Sequence, residues 1–305
     1  QRPLKAIEDI QKKITVVAPS AAPGSTDSLE LPKFVNQARR SESFVAFIAR
    51  TYRELAKVKF ALASFVVNSI RKRYHRSVLG FAWSMLNPLL TMGVMTLVFS
   101  VLFHLPLKQF ALQLFSGLMP WMFISESWTM GSTSILVAEP FLKKVYLPKA
   151  FFPLVSSLQA LSNFIFSMAS LMVIALLMGM QVGPAMLALP LAIGVLFLFN
   201  FAMCLVLSVL TVYLRDLTHV VGVALGLAFY SVPIIYPITQ VPLKYHIFIK
   251  LNPFYYFLDL FRSIICRNEF PPAYEWGITF GISIFTVVVG LLLLKSKEND
   301  IIYRL

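Results

Sequence analysis

The apolar positions of the 305-residue chain gather into six long runs that are separated by short polar segments. Each run is close to or longer than the ~20 residues that a helix needs to cross a bilayer. The uncharged stretch 150–214 counts as two runs, because Gln181-Val-Gly-Pro184 is a turn signal. The pattern predicts an all-α integral membrane protein with a six-helix transmembrane domain over 77–294. The spans are expected at about 77–103, 110–137, 150–180, 185–213, 220–239 and 276–294.

Before the first run, apolar residues recur at spacings of three and four, with basic residues between them. The apolar positions are Phe44, Phe47, Ile48, Tyr52, Leu55, Val58, Leu62 and Phe65. This period predicts an amphipathic helix over 44–73 that lies in the membrane interface. Residues 1–43 are polar and are expected to form an N-terminal extension, and 295–305 a short tail.

The segment 244–270, before the last run, is apolar but interrupted by charged residues. A charge at the centre of a span costs ~2.5–3.5 kcal/mol, far more than one Leu or Phe returns. Pro253 removes a backbone donor and pushes Asn252 out of the helical region. We therefore expect two short re-entrant helices with a bend at Asn252-Pro253. The basic residues expected to reach water or headgroups on the outer face are Lys244, Lys250, Arg262 and Arg267.

Composition and charge agree with a membrane protein. Hydrophobic residues make up 58% of the chain and charged residues only 13%, whereas soluble domains carry about 25% charge. The net charge of +13 does not indicate a nucleic-acid partner, because 15 of the 27 Lys and Arg residues precede residue 77. With six spans, 22 basic residues fall on the side of the termini and 5 on the other. The positive-inside rule then places both termini in the cytoplasm.

Motifs for catalysis, metal binding and nucleotide binding are missing from the sequence. It contains no GxxxxGK[ST] and no HExxH, and its His and Cys residues lack ligand spacing. Glu126 is the one carboxylate deep in a predicted span. Such a residue is a candidate functional group, although Ser125, Ser127, Thr129 or neighbouring helices could instead satisfy it structurally.

Four blocks of sequence resemble the ABC-2 type permeases that export polysaccharides such as O-antigen, teichoic acid and capsule. The blocks are RYHRSVLGFAWSMLNPLL, SGLMPWMFISES, ILVAEPFLKKVYLPKAFFPL and VPIIYPITQVPLKYHIFIKLNPFYYFLDLFRSII. The resemblance covers about 44–305 and contains the same parts as the pattern above: an interface helix, six spans and paired re-entrant helices.

The resemblance implies a homodimer joined to two P-loop ATPase subunits in the bacterial inner membrane. ATP and Mg would be bound by those partners, so this chain would be non-catalytic and hold no cofactor. The implied substrate is a lipid-linked polysaccharide, usually on undecaprenyl diphosphate, moved from the cytoplasmic to the outer side. An ABC-2 permease for a drug or small lipid, a membrane-embedded glycosyl or lipid transferase, and an ion-coupled carrier remain as alternatives. The last two are disfavoured, because acidic catalytic pairs and multiple buried charges are missing.

Four Lys or Arg residues in the six positions 71–76 adjoin the first span. Orientation would need fewer, so we expect Arg71, Arg73 and Arg76 to face lipid headgroups at the substrate entrance. Plain anchoring of the span is the alternative.

The loop EPFLKKVYLPK is predicted to form a short helix over 139–147 that docks on the ATPase. Glu139 and Pro140 suit a helix start, and Lys143 and Lys144 suit its end. The expected contact residues are Glu139, Phe141, Leu142, Lys143, Lys144 and Tyr146. Alternatively, the apolar ones rest on lipid or adjacent helices.

Aromatic residues in and near the spans could line a channel, because sugars stack on aromatic rings. The candidates are Trp83, Trp121, Trp128, Tyr230, Tyr236, Tyr255 and Tyr256. Interfacial belts and helix packing are the alternative explanation for the same residues.

Overall fold

A computed structural model describes residues 42–74, 83–177, 179, 182–298 and 300–305. In this part of the chain the regular elements are helices, without a strand. The α-helices are α1 Phe44–Lys57, α2 Lys59–Tyr74, α3 Trp83–Leu102, α4 Leu107–Val137, α5 Glu139–Leu142, α6 Phe151–Leu177, α7 Leu189–Tyr213, α8 Leu217–Ser231, α9 His246–Leu251, α10 Pro253–Arg262, α11 Ala273–Lys297 and α12 Ile301–Arg304. Most of the predicted extension 1–43 lies outside the described residues.

Three helical segments are long and apolar enough to cross a membrane. They are Phe151–Leu176, Pro184–Tyr213 and Ala273–Lys297, and they match the third, fourth and sixth predicted spans. Two shorter apolar helices, Leu86–Leu102 and Leu217–Ser231, lie where the first and fifth were expected. At 1.5 Å per residue, Leu217–Ser231 covers only about 22 Å of a ~30 Å hydrocarbon core, whereas the whole of α3, with 20 residues, is about 30 Å long. The described part of the chain is thus all-helical and contains helices suited to cross a membrane, and the count of six spans stays a prediction.

Helix α4 is the centre of the bundle and packs against α3, α6, α7, α8 and α10. It has 31 residues and is about 46 Å long, but the polar residues Gln109, Gln113 and Glu126 lower its hydropathy. Aromatic pairs hold the helices around it, such as Phe123 stacked on Phe164 with 5.0 Å between ring centroids. Glu126 faces a protein neighbour, because Asn163 of α6 donates a hydrogen bond to it, whereas Gln109 is exposed near the start of the helix.

The predicted amphipathic segment is helical but is divided at Val58, where α1 ends and α2 follows. Ser43 caps α1, and its hydroxyl accepts a hydrogen bond from the backbone N–H of Ala46 at 3.2 Å. The apolar face of α1 buries Phe47 in a hydrophobic cluster with the end of α4, α5, the start of α6 and the ends of α7 and α11. The chain termini of the described part therefore meet at one end of the bundle.

Arg50 is the centre of a charge network that joins α1 to the end of α11. Its guanidinium donates to Glu42 at 3.1 Å, to Glu54 at 3.3 Å and to Glu298 at 2.7 Å. Burial acts to lower the pKa of Arg50, but the hydrogen bond and charge of Glu298, with Glu54 and Glu42, outweigh it and raise the pKa. Arg50 is therefore a permanent cation surrounded by three carboxylates.

Replacing Arg50 by glutamine is expected to cost about 2 kcal/mol, because three partly buried carboxylates lose a shared cation. The measurement is thermal unfolding of the detergent-solubilised chain. Arg53→Gln is the matched control, because Arg53 is exposed on the same helix and donates only within it, to the carbonyl of Ala49. Equal melting temperatures for the two variants would contradict a stabilising role of the network.

The segment before α11 forms the two short helices α9 and α10, with the predicted bend at Asn252. Asn252 has an extended backbone conformation, and its side chain accepts a hydrogen bond from the N–H of Phe254 at 3.0 Å. A π-helical turn, Ser263–Arg267, continues α10. Asn252 therefore ends one helix and caps the next. Entry of this pair into the membrane stays a prediction.

Candidate functional site

A cavity of about 750 Å³ lies between α3, α4 and α6. Its size is within the range of pockets that hold organic ligands. The residues around it are Trp83, Asn87, Pro88, Met119, Met122, Phe123, Ser125, Glu126, Thr129, Met130, Asn163, Phe164 and Ser167. The lining is mostly apolar, with amide, hydroxyl and carboxylate groups in a few places.

Glu126 and Asn163 form the polar centre of this cavity. The Nδ2 of Asn163 on α6 donates a hydrogen bond to the Oε1 of Glu126 on α4 at 2.7 Å. Asn163 lies near the middle of α6, one of the three candidate spans, so the pair is about halfway along the bundle. Because a carboxylate and an amide can accept from and donate to hydroxyl groups, the site is suited to a polyhydroxylated ligand.

Sequence reasoning singled out Glu126 but did not identify its partner. The structure shows that Asn163 of the adjacent helix bonds to it, which fits a structurally satisfied acid as well as a functional one. The available signal was an amide in a stretch of 65 uncharged residues, 150–214. Asn200, in the same stretch, has a comparable role, because its Oδ1 accepts from the indole N–H of Trp128 at 3.1 Å.

The candidate channel aromatics do not surround one cavity. Trp83 borders the 750 Å³ cavity and is half-exposed. Trp121 and Trp128 instead both pack against Phe254, with ring centroids 5.4 and 5.5 Å away. Trp121 is buried, in line with the packing alternative.

The four tyrosines lie toward the other end of the bundle, away from the termini. Tyr230 is exposed at the end of α8, and its carbonyl accepts from the hydroxyl of Tyr236 at 3.2 Å. Tyr255 and Tyr256 are edge-to-face neighbours, 5.4 Å apart. Of the four, Tyr255 borders a second cavity, between the start of α4 and α10.

The predicted docking loop is a single helical turn, and its residues separate into buried and exposed ones. Helix α5 ends at Leu142, where 139–147 was expected, and Lys143 bonds back to Glu139 at 2.6 Å. Leu142 is 8% exposed and belongs to the cluster that buries Phe47, whereas Phe141 is 44% exposed and contacts Phe65 edge-on. Leu142 therefore packs within the protein, which is the alternative considered for it.

The exposed residues of this loop that can make aromatic or charged contacts form one surface, which consists of Phe141, Lys143, Lys144 and Tyr146. The Tyr146 hydroxyl lies 3.4 Å from both carboxylate oxygens of Glu54 on α1. The surface is thus held by α1 and by the buried Leu142, and it presents an aromatic ring and two cations.

The basic residues of the predicted entrance are only partly described. Arg71 is exposed at the end of α2, and Arg73 lies in the same helix. Arg76 lies outside the described residues. Their contact with lipid headgroups stays a prediction.

Arg262 contradicts the expectation that the basic residues of 244–270 reach water. It is only 7% exposed, and its guanidinium donates to the main-chain carbonyls of Pro233 and Ile234. Asp259 is also buried and is paired with Arg267 at 2.9 and 3.2 Å. The carbonyls that accept hydrogen bonds from Arg262 belong to a loop that is distant in sequence, and lipid tails have no such acceptors. The sequence around Arg262 therefore does not reveal that its side chain is buried. Across the described ranges, no group of three His, Cys, Asp or Glu has the arrangement of a metal site.

Comparison with known proteins agrees with this architecture. Residues 61–266 match the ABC-2 type transporter family. The chain is 27% identical over 253 residues to the O-antigen export system permease protein RfbA of Myxococcus xanthus, which covers 82% of this chain and 97% of that protein. It is 28% identical over 249 residues to a protein of the same name from Klebsiella pneumoniae, covering 80% and 93% respectively. The match over most of the helical bundle shows that the chain belongs to the ABC-2 type transporter family.

Proposed function

We propose that the chain is the membrane-spanning permease subunit of an ABC exporter for a lipid-linked polysaccharide of the O-antigen class. The substrate would be a glycan on undecaprenyl diphosphate, moved from the cytoplasmic to the outer side. The observation that carries the proposal is the near full-length similarity to O-antigen export permeases, 97% of one relative's length. A cavity with hydroxyl-binding groups halfway along the bundle supports it.

The proposed topology has six spans in the bacterial inner membrane, with both termini in the cytoplasm. Helices α3, α4 and α8 would be the first, second and fifth spans, and α9 and α10 would enter the membrane from the outer side. Clustering of 22 of the 27 basic residues on the side of the termini supports this orientation.

The proposed partners are two copies of a P-loop ATPase and a second copy of this chain. ATP and Mg would be bound by the ATPase, and the surface of Phe141, Lys143, Lys144 and Tyr146 would contact it. A run of exposed apolar residues on α3 supports burial against lipid or a second copy. These residues are Leu90, Val94, Leu97, Val98 and Val101.

Within the cavity, Glu126 and Asn163 are proposed to bind sugar hydroxyls while Trp83 stacks on a sugar ring. Glu126→Leu is expected to lower export about tenfold, the loss that corresponds to one charge-assisted hydrogen bond. Glu126→Gln keeps an acceptor for Asn163 and is expected to stay within about threefold of wild type. The measurement is the rate at which glycan reaches the cell surface, normalised to folded permease. Equal export by the Leu and Gln variants would remove Glu126 from the pathway.

Deletion of the gene tests the function as a whole. The proposal predicts loss of surface glycan and accumulation of lipid-linked glycan inside the cell, with recovery when the chain is supplied again. Normal surface glycan together with loss of resistance to a drug would instead favour a small-molecule permease.

A further inference from the structure

A second cavity, of about 450 Å³, lies between the start of α4, the loop 237–240 and α10. It lies toward the end of the bundle opposite the termini. Its polar lining consists of Gln109, Gln113, Thr239, Gln240, Tyr255, Asp259, Arg262, Cys266 and Arg267. Three amides, two hydroxyls and two guanidiniums provide many donors in a space of ligand size, and the one carboxylate of the lining, Asp259, is paired with Arg267.

The two arginines of this cavity differ in how their charge is balanced. Arg267 donates to both carboxylate oxygens of Asp259, at 2.9 and 3.2 Å, so its charge is paired. Arg262 makes no ion pair within the described residues, and its Nε has no hydrogen-bond partner among them. A buried charge that is bound only by main-chain carbonyls is costly unless an opposite charge can join it.

The backbone is shaped to admit this arginine. Gly117 on α4 faces the guanidinium, and a Cβ at that position would lie 3.1 Å from Nη2 of Arg262. The Nη2 of Arg262 also donates a hydrogen bond to the carbonyl of Pro233, which fixes the guanidinium in place. A fixed guanidinium that lines a cavity and has no ion pair among the described residues can bind an anion, because a donor that the carbonyls do not use can make a charge-assisted hydrogen bond to a carboxylate or phosphate oxygen.

We propose that the cavity around Arg262 binds an anionic group of the exported molecule. The shared chemistry is a carboxylate or phosphate oxygen, carried either by an acidic sugar of the glycan or by a phosphate of glycan or lipid. The carrier of the anion rests on the proposed export function, whereas binding of the anion itself does not.

The native cysteines allow a direct test on the full-length chain. Cys266 is exposed and borders the cavity, whereas Cys204 is fully buried, so a small maleimide should modify Cys266 alone. The rate of modification is measured by mass shift in the presence of glucuronate, inorganic phosphate or glucose, with Cys266→Ser as the blank. Glucuronate alone slowing the reaction would indicate an acidic sugar, and phosphate slowing it as well would indicate a phosphate site.

Variants connect the protection to Arg262. Arg262→Gln is expected to raise the anion concentration needed for protection about tenfold, the effect of one lost charge-assisted contact. Arg262→Lys retains the charge and should retain protection, which keeps the test valid if the Gln variant does not fold. Lys108→Gln is the matched control, because Lys108 begins α4 nearby but does not border the cavity.

Two results would overturn the inference. Protection by glucose equal to that by the anions would show that charge is not recognised, and no protection by either anion would show that the cavity does not bind them. Both results leave the export function untouched, since that function is tested separately by gene deletion.

Discussion

Phe141→Ala combined with Lys144→Glu is expected to reduce surface glycan to the level of a deletion strain while the chain still inserts and folds. Both side chains are exposed on the loop that follows α4, and small interfaces depend on a few anchor residues. Removing the ring and reversing a charge should therefore separate the chain from the proposed ATPase. The measurements are co-purification of the ATPase and surface glycan in the same cells.

The control for this pair is Lys59→Glu, which reverses an equally exposed lysine at the start of α2. It should leave both measurements unchanged. Normal export by the Phe141/Lys144 variant would move the coupling contact elsewhere, with Arg215-Asp216 or the N-terminal helix as the next sites to test. Leu142→Asp is unsuitable here, because Leu142 is buried in the cluster that holds α1.

Gly131→Leu is expected to eliminate folded protein. At this position α4 approaches α7 so closely that a Cβ on Gly131 would lie 2.3 Å from the Sγ and 3.1 Å from the Cα of Cys204. Cys204 also donates to the carbonyl of Ser127 at 3.1 Å, which ties the two helices together. Overpacking costs about 1–3 kcal/mol or more, and a side chain here must separate the two central helices. The measurement is the yield of monodisperse protein in detergent.

Gly281→Leu on α11 is the control, because no atom lies within 4 Å of a Cβ there. Gly131→Ala is expected to lower the yield as well, and adding Cys204→Gly should restore part of it. The second change removes the Sγ and Cβ of Cys204, which are the two atoms closest to the new Cβ. If Gly131→Leu and Gly281→Leu give the same yield, the close approach of α4 and α7 is not required for folding.

The apolar runs of the sequence correctly predicted the positions of the most hydrophobic helices, α6, α7 and α11. Residues 150–214 hold no charge, so burial in a membrane was the main solution open to them, and the signal at Gln181–Pro184 divided the run correctly. The structure ends α6 at Leu177 and starts the next segment at Pro184. The bend at Asn252 was equally predictable, because Pro253 restricts its neighbour locally.

Contacts between distant parts of the chain could not be predicted in the same way. Arg262 donates to carbonyls 28 and 29 positions earlier, and Glu126 accepts from an amide 37 positions later. A transfer cost computed for lipid does not apply to a charge that the protein itself surrounds. The burial of Leu142 was equally unpredictable from the sequence, because an apolar residue in a loop can contact either a partner protein or its own helix bundle. The position of α1, which packs in the same cluster as Leu142, decides between these two possibilities.

The most direct test of the account is transport by purified components. The chain is reconstituted in vesicles with the proposed P-loop ATPase and the proposed substrate, an undecaprenyl diphosphate-linked glycan, and the glycan that crosses the bilayer is measured with an impermeant lectin. The account predicts movement that requires ATP hydrolysis and the ATPase subunit, and that is lost with the Phe141/Lys144 variant. Movement without the ATPase, or no ATP-dependent movement of the glycan, would contradict it.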